Sequence, residues 1–214
     1  MSSAKEDILA RIRTSLADAP VAPEPQRNYR RVSHLNQEQT IEMLVDRLID
    51  YKANVFEATE ANIADVIAER LGETSHYVVP VGLNRQWLPE DTPTRTCFTD
   101  SGSTLEPGAL TVHQLDAVDA VVTSSTVSCA ETGTIFLNSN QDEGRRAISL
   151  VPDHHICVVP RSTVVELVPE AIDRITYERP VTTISGPSAT SDIELIRVEG
   201  VHGPRTLDVI ILDQ

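Results

Sequence analysis

The segment Ala130-Glu131-Thr132-Gly133-Thr134 is the first of two glycine-rich motifs that decide the fold. The second is Ile184-Ser185-Gly186-Pro187-Ser188-Ala189-Thr190-Ser191-Asp192-Ile193-Glu194, and Gly200-Val201-His202-Gly203-Pro204 follows it closely. Each motif places small, turn-forming and acidic residues beside apolar, β-branched runs. Loops of this composition at strand ends are where α/β proteins place their ligand sites. The motifs therefore predict an α/β domain whose loops carry the function.

Helices and strands alternate ahead of these motifs. A helix begins near Asn36, a strand covers 54–58, a helix capped by Thr59 runs to Leu71 and stops at Gly72, and a strand covers 77–81. This order predicts parallel pairing through right-handed crossovers. Later apolar runs are typical of strands buried on both faces. The further predicted strands are 96–99, 120–123, 134–138, 155–159, 181–184 and 207–212, with short helices at 145–150 and 169–175.

The first 35 residues are predicted to form a separate arm. Ser3 and Glu6 have the spacing of a capping box, and an amphipathic helix over 3–19 follows. Prolines at positions 20, 23 and 25 end this helix and begin an extended linker. The arm carries a net charge of +2, which leaves −16 for the main domain over 36–214. Such an arm either packs on its own domain or docks on a partner.

Composition limits the classes of function. The net charge of −14 argues against binding to nucleic acid or to an anionic membrane surface. No apolar run approaches the ~20 residues that span a bilayer, and no apolar signal segment begins the chain. We therefore expect a cytoplasmic protein without membrane insertion.

The cysteines argue against a resident cofactor. Cys97, Cys129 and Cys157 form no C-x-x-C pair, and a [4Fe–4S] cluster normally takes four thiolates. No G-x-G-x-x-G run follows a strand, as a nicotinamide or flavin site would require. We therefore expect the protein to hold no cofactor.

Charged residues supply the first candidates for chemistry. Glu131 suits a general base, a nucleophile or a hydrogen-bond anchor, and it equally suits a turn in which it is solvated or paired with an arginine. Arg145 and Arg146 open a predicted helix, where guanidinium groups favour a carboxylate or phosphate. Their alternative role is a pair of surface salt bridges. Because the chain has only two lysines, any fixed positive charge in a site comes from arginine.

The second motif has the pattern of an anion-binding loop. Its loop 185–188 follows a strand, and Ser191 with Glu194 has the capping spacing of a helix start. The Gly-Lys-Ser/Thr ending of a phosphate loop is missing, so the motif is either a ligand loop or a structural turn. Because side chains alternate along a strand, those of His154 and His155 are expected to point to opposite faces, so at most one of them faces a site.

His202 lies in the loop before the last strand. It is a candidate for proton transfer or carboxylate binding near neutral pH, or it pins the loop by hydrogen bonds. Asp192, Glu194 and His202 match no standard zinc spacing, so no metal site is expected.

The motifs, within a stretch from about 118 to 214, resemble the LUD-domain family and within it the lactate-utilisation protein C subgroup. The resemblance implies a three-layer α/β/α fold with a mostly parallel central sheet, related to ribose-5-phosphate isomerase and CoA-transferase folds. It marks Glu131 and His202 as candidate catalytic residues. The candidate substrate-binding positions are Thr132, Gly133, Arg145, Arg146, Ser185, Gly186, Pro187, Ser188, Asp192, Glu194 and Gly203.

The resemblance also implies a pathway. The chain is expected to be a cluster-free subunit of a complex that oxidises L-lactate to pyruvate, beside partner subunits that contain iron–sulfur clusters, and to contribute to a small-carboxylate site. The alternative is a stand-alone small-molecule enzyme or sensor with a CoA-transferase-like anion pocket. Activity of the purified chain without partners distinguishes the two.

Overall fold

The protein folds around strands from both halves of the chain. The computed structural model describes residues 3–17, 23–74, 76–102, 108–191, 197–200 and 202–213. In these residues the helices are α1 (Ala4–Ser15), α2 (Gln37–Asp50), α3 (Ile63–Leu71), α4 (Val112–Asp116) and α5 (Val168–Ile172). The strands are β1 (Asn54–Thr59), β2 (His76–Pro80), β3 (Thr96–Asp100), β4 (Ala120–Thr123), β5 (Val127–Cys129), β6 (Thr134–Leu137), β7 (His154–Pro160), β8 (Val164–Val165), β9 (Thr182–Ile184), β10 (Ala189–Ser191), β11 (Arg197–Glu199) and β12 (Thr206–Asp213).

Six of these strands form a central sheet in the order β1, β12, β7, β4, β2, β3. Every neighbouring pair in it is parallel. All four residues of β4 are buried, as are the last six of β7. Continuous apolar runs therefore mark strands covered on both faces, and the predicted parallel α/β fold is confirmed.

Helix α3 covers one face of the central sheet. Ile63, Ile67 and Leu71 recur at helical spacing and are buried against side chains of the sheet. The helix begins after Asn62, three residues later than predicted, because the Asn62 side chain turns back to accept a hydrogen bond from the Thr59 backbone N–H (2.7 Å). Its end at position 72 agrees with the prediction.

The opposite face is covered partly by helix and partly by a second sheet. Helix α2 buries Ile41, Leu44 and Leu48 there, beside four short strands in the order β8, β5, β6, β9. Strands β6 and β9, both predicted, pair antiparallel in this second sheet and do not join the central one. Strands of two to four residues are too short for their pattern to indicate which sheet they join.

One predicted helix start is wrong. Residues 146–150 form successive turns, with Gly144 at φ +71° and with Ile148 buried against α4 and the central sheet. Ser191 ends β10, whose backbone pairs antiparallel with β11, and the helix predicted to start at Ser191 would lie outside the described residues. Asp192 and Glu194 lie outside the described residues.

The N-terminal arm has two parts that behave differently. Helix α1 has the predicted Ser3–Glu6 capping box, yet none of its residues is buried. The following linker packs on its own domain: the Ser33 hydroxyl donates to a Glu166 carboxylate oxygen (2.5 Å), and the His34 backbone N–H donates to the same oxygen (3.1 Å). The linker is therefore anchored, while the apolar face of α1 is exposed.

Candidate functional site

A cavity of about 420 Å³ lies between the second sheet and the ends of two strands of the central sheet. Four separate parts of the chain line it: the turn at 146–150, His155 of β7, residues 181–189 from β9 into the second glycine motif, and residues 202–207 around the start of β12. Among the predicted site residues, the lining includes Arg146, Ser185, Gly186, Pro187, Ser188, His202 and Gly203. The structure therefore brings together residues that are up to 57 positions apart, counted from Arg146 to Gly203.

This cavity is at the amino ends of parallel strands. His155 and Leu207, the second residues of β7 and β12, form part of its wall. The general rule for open α/β sheets places ligands outside the carboxyl ends of the strands. The difference arises because the second motif follows β9, which belongs to the second sheet. The motif therefore lies beside the amino ends of strands of the central sheet.

Two loops of the cavity are joined by backbone hydrogen bonds. The Ser188 backbone N–H donates to the Pro204 carbonyl (2.8 Å), and the Gly200 N–H donates to the Ser188 carbonyl (3.0 Å). The His202 backbone N–H donates to the Ser188 hydroxyl oxygen (3.0 Å). In the described part of the chain that hydroxyl makes no other hydrogen bond, so its own hydrogen is available for a molecule in the cavity.

Gly186 is required by packing. Its φ is +95°, and an added Cβ would lie 2.7 Å from the Tyr51 Cβ. The neighbouring Ser185 hydroxyl is hydrogen-bonded to the Thr134 hydroxyl (2.8 Å), which connects the two glycine motifs. The second motif is thus held closely against the rest of the domain.

The two adjacent arginines have different environments. Arg145 is bound to buried Asp100, with its Nη2 2.8 Å from the carboxylate. Burial alone would raise the pKa of Asp100, but the hydrogen bonds from Arg145 and from the backbone N–H groups of Leu110 and Gly102 together lower it. The Arg145 side chain is therefore part of a structural ion pair.

Arg146, in contrast, is exposed at the cavity mouth. No hydrogen bond or ion pair holds its guanidinium group to any residue in the described ranges. It also lines a second cavity, of about 540 Å³, together with Arg179 and Asn140. A cation without a protein partner at the junction of two cavities is suited to an anionic ligand.

Inside the first cavity, His155 provides a neutral polar group. It is 1% exposed, and its Nε2 lies 2.8 Å from the Thr123 hydroxyl. Burial, and secondarily the neighbouring His154, lowers the pKa of His155 to about 3. The imidazole is thus uncharged at physiological pH. His154 is on the other face of β7 and lies 3.1 Å from Asp208, which agrees with the predicted alternation.

The first glycine motif is not in the lining of either cavity. The Glu131 carboxylate lies 3.0 Å from Arg30 of the linker, and the same arginine lies 2.7 Å from Glu166. Gly133 packs against α2, where an added Cβ would meet the Arg47 Cβ at 2.7 Å. The Thr132 hydroxyl donates to the Thr134 hydroxyl (2.8 Å).

Two buried glutamates were missed by reasoning from the sequence. The hydrogen bond from Ser33 is the main cause that lowers the pKa of Glu166, which also accepts from His34 and pairs with Arg30. Burial raises the pKa of Glu143, whose carboxylate accepts from the backbone N–H groups of Asn138 and Asn140. Nothing in the local pattern distinguishes these glutamates from exposed ones.

Within the described ranges, no helix has the length and apolar character to cross a membrane. In the same residues, no group of three or more His, Cys, Asp or Glu side chains is placed to hold a metal ion.

A parallel α/β domain with a second small sheet, and with two glycine motifs linked beside a polar cavity, defines the class of this protein. The chain belongs to the LUD domain family, whose model matches residues 26–212. It is 39% identical to Lactate utilization protein C of Deinococcus radiodurans, in an alignment that covers 99% of this chain and 96% of that protein. Lactate utilization protein C of Bacillus subtilis is 26% identical over 86% of this chain and 81% of that protein.

A solved structure supports the same assignment. The crystal structure of a DUF162 family protein from Deinococcus radiodurans, at 1.70 Å resolution, aligns with a TM-score of 0.69 and 33% identity. The alignment covers 83% of this chain and 99% of that chain. The family resemblance of the two motifs is thereby confirmed.

Proposed function

We propose that this protein acts in lactate utilisation and that the 420 Å³ cavity binds a small carboxylate, L-lactate or pyruvate. The observation that carries the proposal is the unpaired Arg146 guanidinium at the cavity mouth. The main domain has a net charge of −16, so an anion is repelled at long range unless a local cation offsets that field. Arg146 is such a cation, because Arg145 is already occupied by Asp100.

The cavity also offers uncharged donors for a carboxylate. The Ser188 hydroxyl accepts from the His202 backbone N–H and makes no other hydrogen bond in the described part of the chain, so its hydrogen can be donated to a ligand, and His202 itself is an exposed wall residue. Ser185 also lines the cavity, but its hydroxyl is engaged with that of Thr134. A carboxylate held by Arg146 and the Ser188 hydroxyl matches the charge and hydrogen-bonding capacity of these groups. His202 is proposed as the group that transfers a proton at this position.

A catalytic role for Glu131 stays a prediction. Its carboxylate is paired with Arg30 and is not part of the cavity wall. In the described arrangement, Glu131 anchors the linker.

We further propose that the chain is a cluster-free subunit and that electrons from lactate pass to iron–sulfur clusters of partner subunits. Oxidation of lactate to pyruvate releases two electrons and two protons, which an acceptor must take. The chain has three cysteines, whereas a [4Fe–4S] cluster takes four thiolates. Cys129 and Cys157 are moreover buried apart from the cavity lining.

Calorimetry with L-lactate, pyruvate and phosphate tests the carboxylate site. A charge-assisted hydrogen bond contributes about 1.5–3 kcal/mol, so Arg146→Ala should weaken carboxylate binding roughly ten- to a hundredfold. Arg174→Ala is the matched control, since it removes the same charge from a side chain that bonds only the Ser162 carbonyl. Equal affinities in wild type and Arg146→Ala would reduce Arg146 to a surface charge.

One observation favours a second candidate function. The cavity is much larger than lactate needs, and Arg146 connects it with the 540 Å³ cavity that Arg179 also lines. Together they have the size of sites for larger ligands, such as an acyl-CoA or a sugar phosphate. Turnover of such a compound by the purified chain, without partner subunits, would favour a stand-alone enzyme.

A further inference from the structure

A series of buried, hydrogen-bonded polar groups leads away from the cavity and begins at His155. The His155 Nε2 lies 2.8 Å from the Thr123 hydroxyl oxygen, which in turn lies 3.9 Å from the Cys157 sulfur. The Cys157 thiol is directed at the Ser124 carbonyl oxygen at 4.0 Å. The three side chains and the Ser124 carbonyl belong to buried residues of β4, β7 and the segment after β4. This series of polar groups therefore has one end at the cavity and the other in the core.

The direction of each hydrogen bond in this series follows from the number of hydrogens that each group can donate. The Cys157 S–H donates to the carbonyl, and the Thr123 O–H is directed at the Cys157 sulfur. A hydroxyl has only one hydrogen, so the Thr123 oxygen accepts at its contact with His155. The hydrogen of the imidazole then belongs on Nε2. This tautomer is assigned from the network of neighbours.

The second ring nitrogen of His155 is consequently a hydrogen-bond acceptor. Nδ1 makes no hydrogen bond to another residue in the described part of the chain, and His155 belongs to the cavity wall. The imidazole is uncharged, because burial disfavours its protonated form. A neutral acceptor in a buried wall does not attract a carboxylate; it attracts an O–H group.

We propose that His155 makes this site specific for 2-hydroxy carboxylates, by accepting the hydrogen of the ligand's 2-hydroxyl group at Nδ1. This inference rests on the proposed function, in which Arg146 and the Ser188 hydroxyl bind the carboxylate. A ligand without the 2-hydroxyl group cannot make this hydrogen bond to Nδ1, which lowers its affinity. A 2-oxo acid has no hydrogen to donate at that position, so it gains nothing from His155.

The test compares three carboxylates of similar size by calorimetry on the full-length protein: L-lactate, pyruvate and propionate. Wild type should bind L-lactate about tenfold more tightly than propionate, as one hydrogen bond to a buried group provides, with pyruvate close to propionate. His155→Phe preserves the ring but removes both nitrogens, and it should bring lactate to the affinity of propionate. His154→Phe makes the same change on the opposite face of β7 and should keep the preference.

A second variant keeps the test decisive if His155→Phe does not fold. Thr123→Val removes the hydroxyl that fixes the tautomer while preserving side-chain shape, and it should reduce the preference for lactate over pyruvate. An unchanged preference in Thr123→Val would overturn the tautomer assignment, and so would equal binding of lactate and pyruvate above propionate.

The remaining outcomes separate the two proposals. Equal wild-type affinity for all three compounds would overturn the role of His155 and leave the carboxylate site intact. Binding of none of them would instead contradict the proposed function itself.

Discussion

Acid sensitivity of the fold provides a direct measurement of the buried state of His155. The pKa of this side chain is about 3 in the folded protein against 6.5 as the ordinary value. The folded state thus binds fewer protons than the unfolded state in the range between these values. Stability from the neutral imidazole is fully present above pH 6.5 and is progressively lost as the pH falls from 6.5 toward 3.

The magnitude follows from the pKa difference. Each pH unit below 6.5 costs about 1.4 kcal/mol of unfolding free energy until the folded pKa is reached. At pH 5 the loss from this one side chain is therefore about 2 kcal/mol relative to pH 8. Carboxyl groups with lowered pKa values, such as Asp100 and Glu166, lose their contribution mainly at lower pH, so pH 5 separates the histidine from them.

Urea unfolding followed by circular dichroism at pH 8 and pH 5 checks this value. The change His155→Gln removes the titrating ring, so the variant should lose about 2 kcal/mol less than wild type between the two pH values. His113→Gln alters an exposed histidine and should follow wild type. The reasoning is refuted if His155→Gln and wild type lose the same free energy over this range.

Two further predictions concern residues that the sequence marks as a site but the structure ties to the fold. Arg145→Ala leaves the buried Asp100 carboxylate without its counter-ion, so the unfolding free energy should fall by about 3 kcal/mol in urea titrations; a loss below 1 kcal/mol would mean a surface-type ion pair. Gly133→Ala combines a φ of +59° with a Cβ 2.7 Å from the Arg47 Cβ, whereas Gly102→Ala at φ +84° meets no atom of the described residues within 4 Å. Thermal unfolding should therefore show the greater loss for Gly133→Ala, and equal losses would contradict a packing role for the glycine.

Much of the architecture is predictable from local pattern. The strands over 96–100, 120–123 and 206–213 agree with their predictions within about a residue. The last two are mostly apolar and buried, and such runs have few alternative assignments. The Ser3 capping box and the end of α3 at Gly72 are equally local, since each depends on residues within one helical turn.

The site was predictable only in part. Residues of the second motif and His202 do meet at one cavity, and Arg146 joins them. The separation of Arg145 from Arg146 was not predictable, because it depends on Asp100, 45 positions away. The same holds for Glu131, whose partner Arg30 lies 101 positions earlier in the chain.

The sequence by itself determined the family, the parallel α/β class and the loops that carry polar groups, because each is encoded in short runs of residue types. Tertiary structure alone decided that the cavity opens at the amino ends of β7 and β12, and that His155 is its neutral wall. It also decided that Arg30 of the linker pairs with both Glu131 and Glu166. These features depend on how the second sheet packs against the central one. Packing of that kind joins residues far apart in the chain, and neither spacing nor periodicity encodes it.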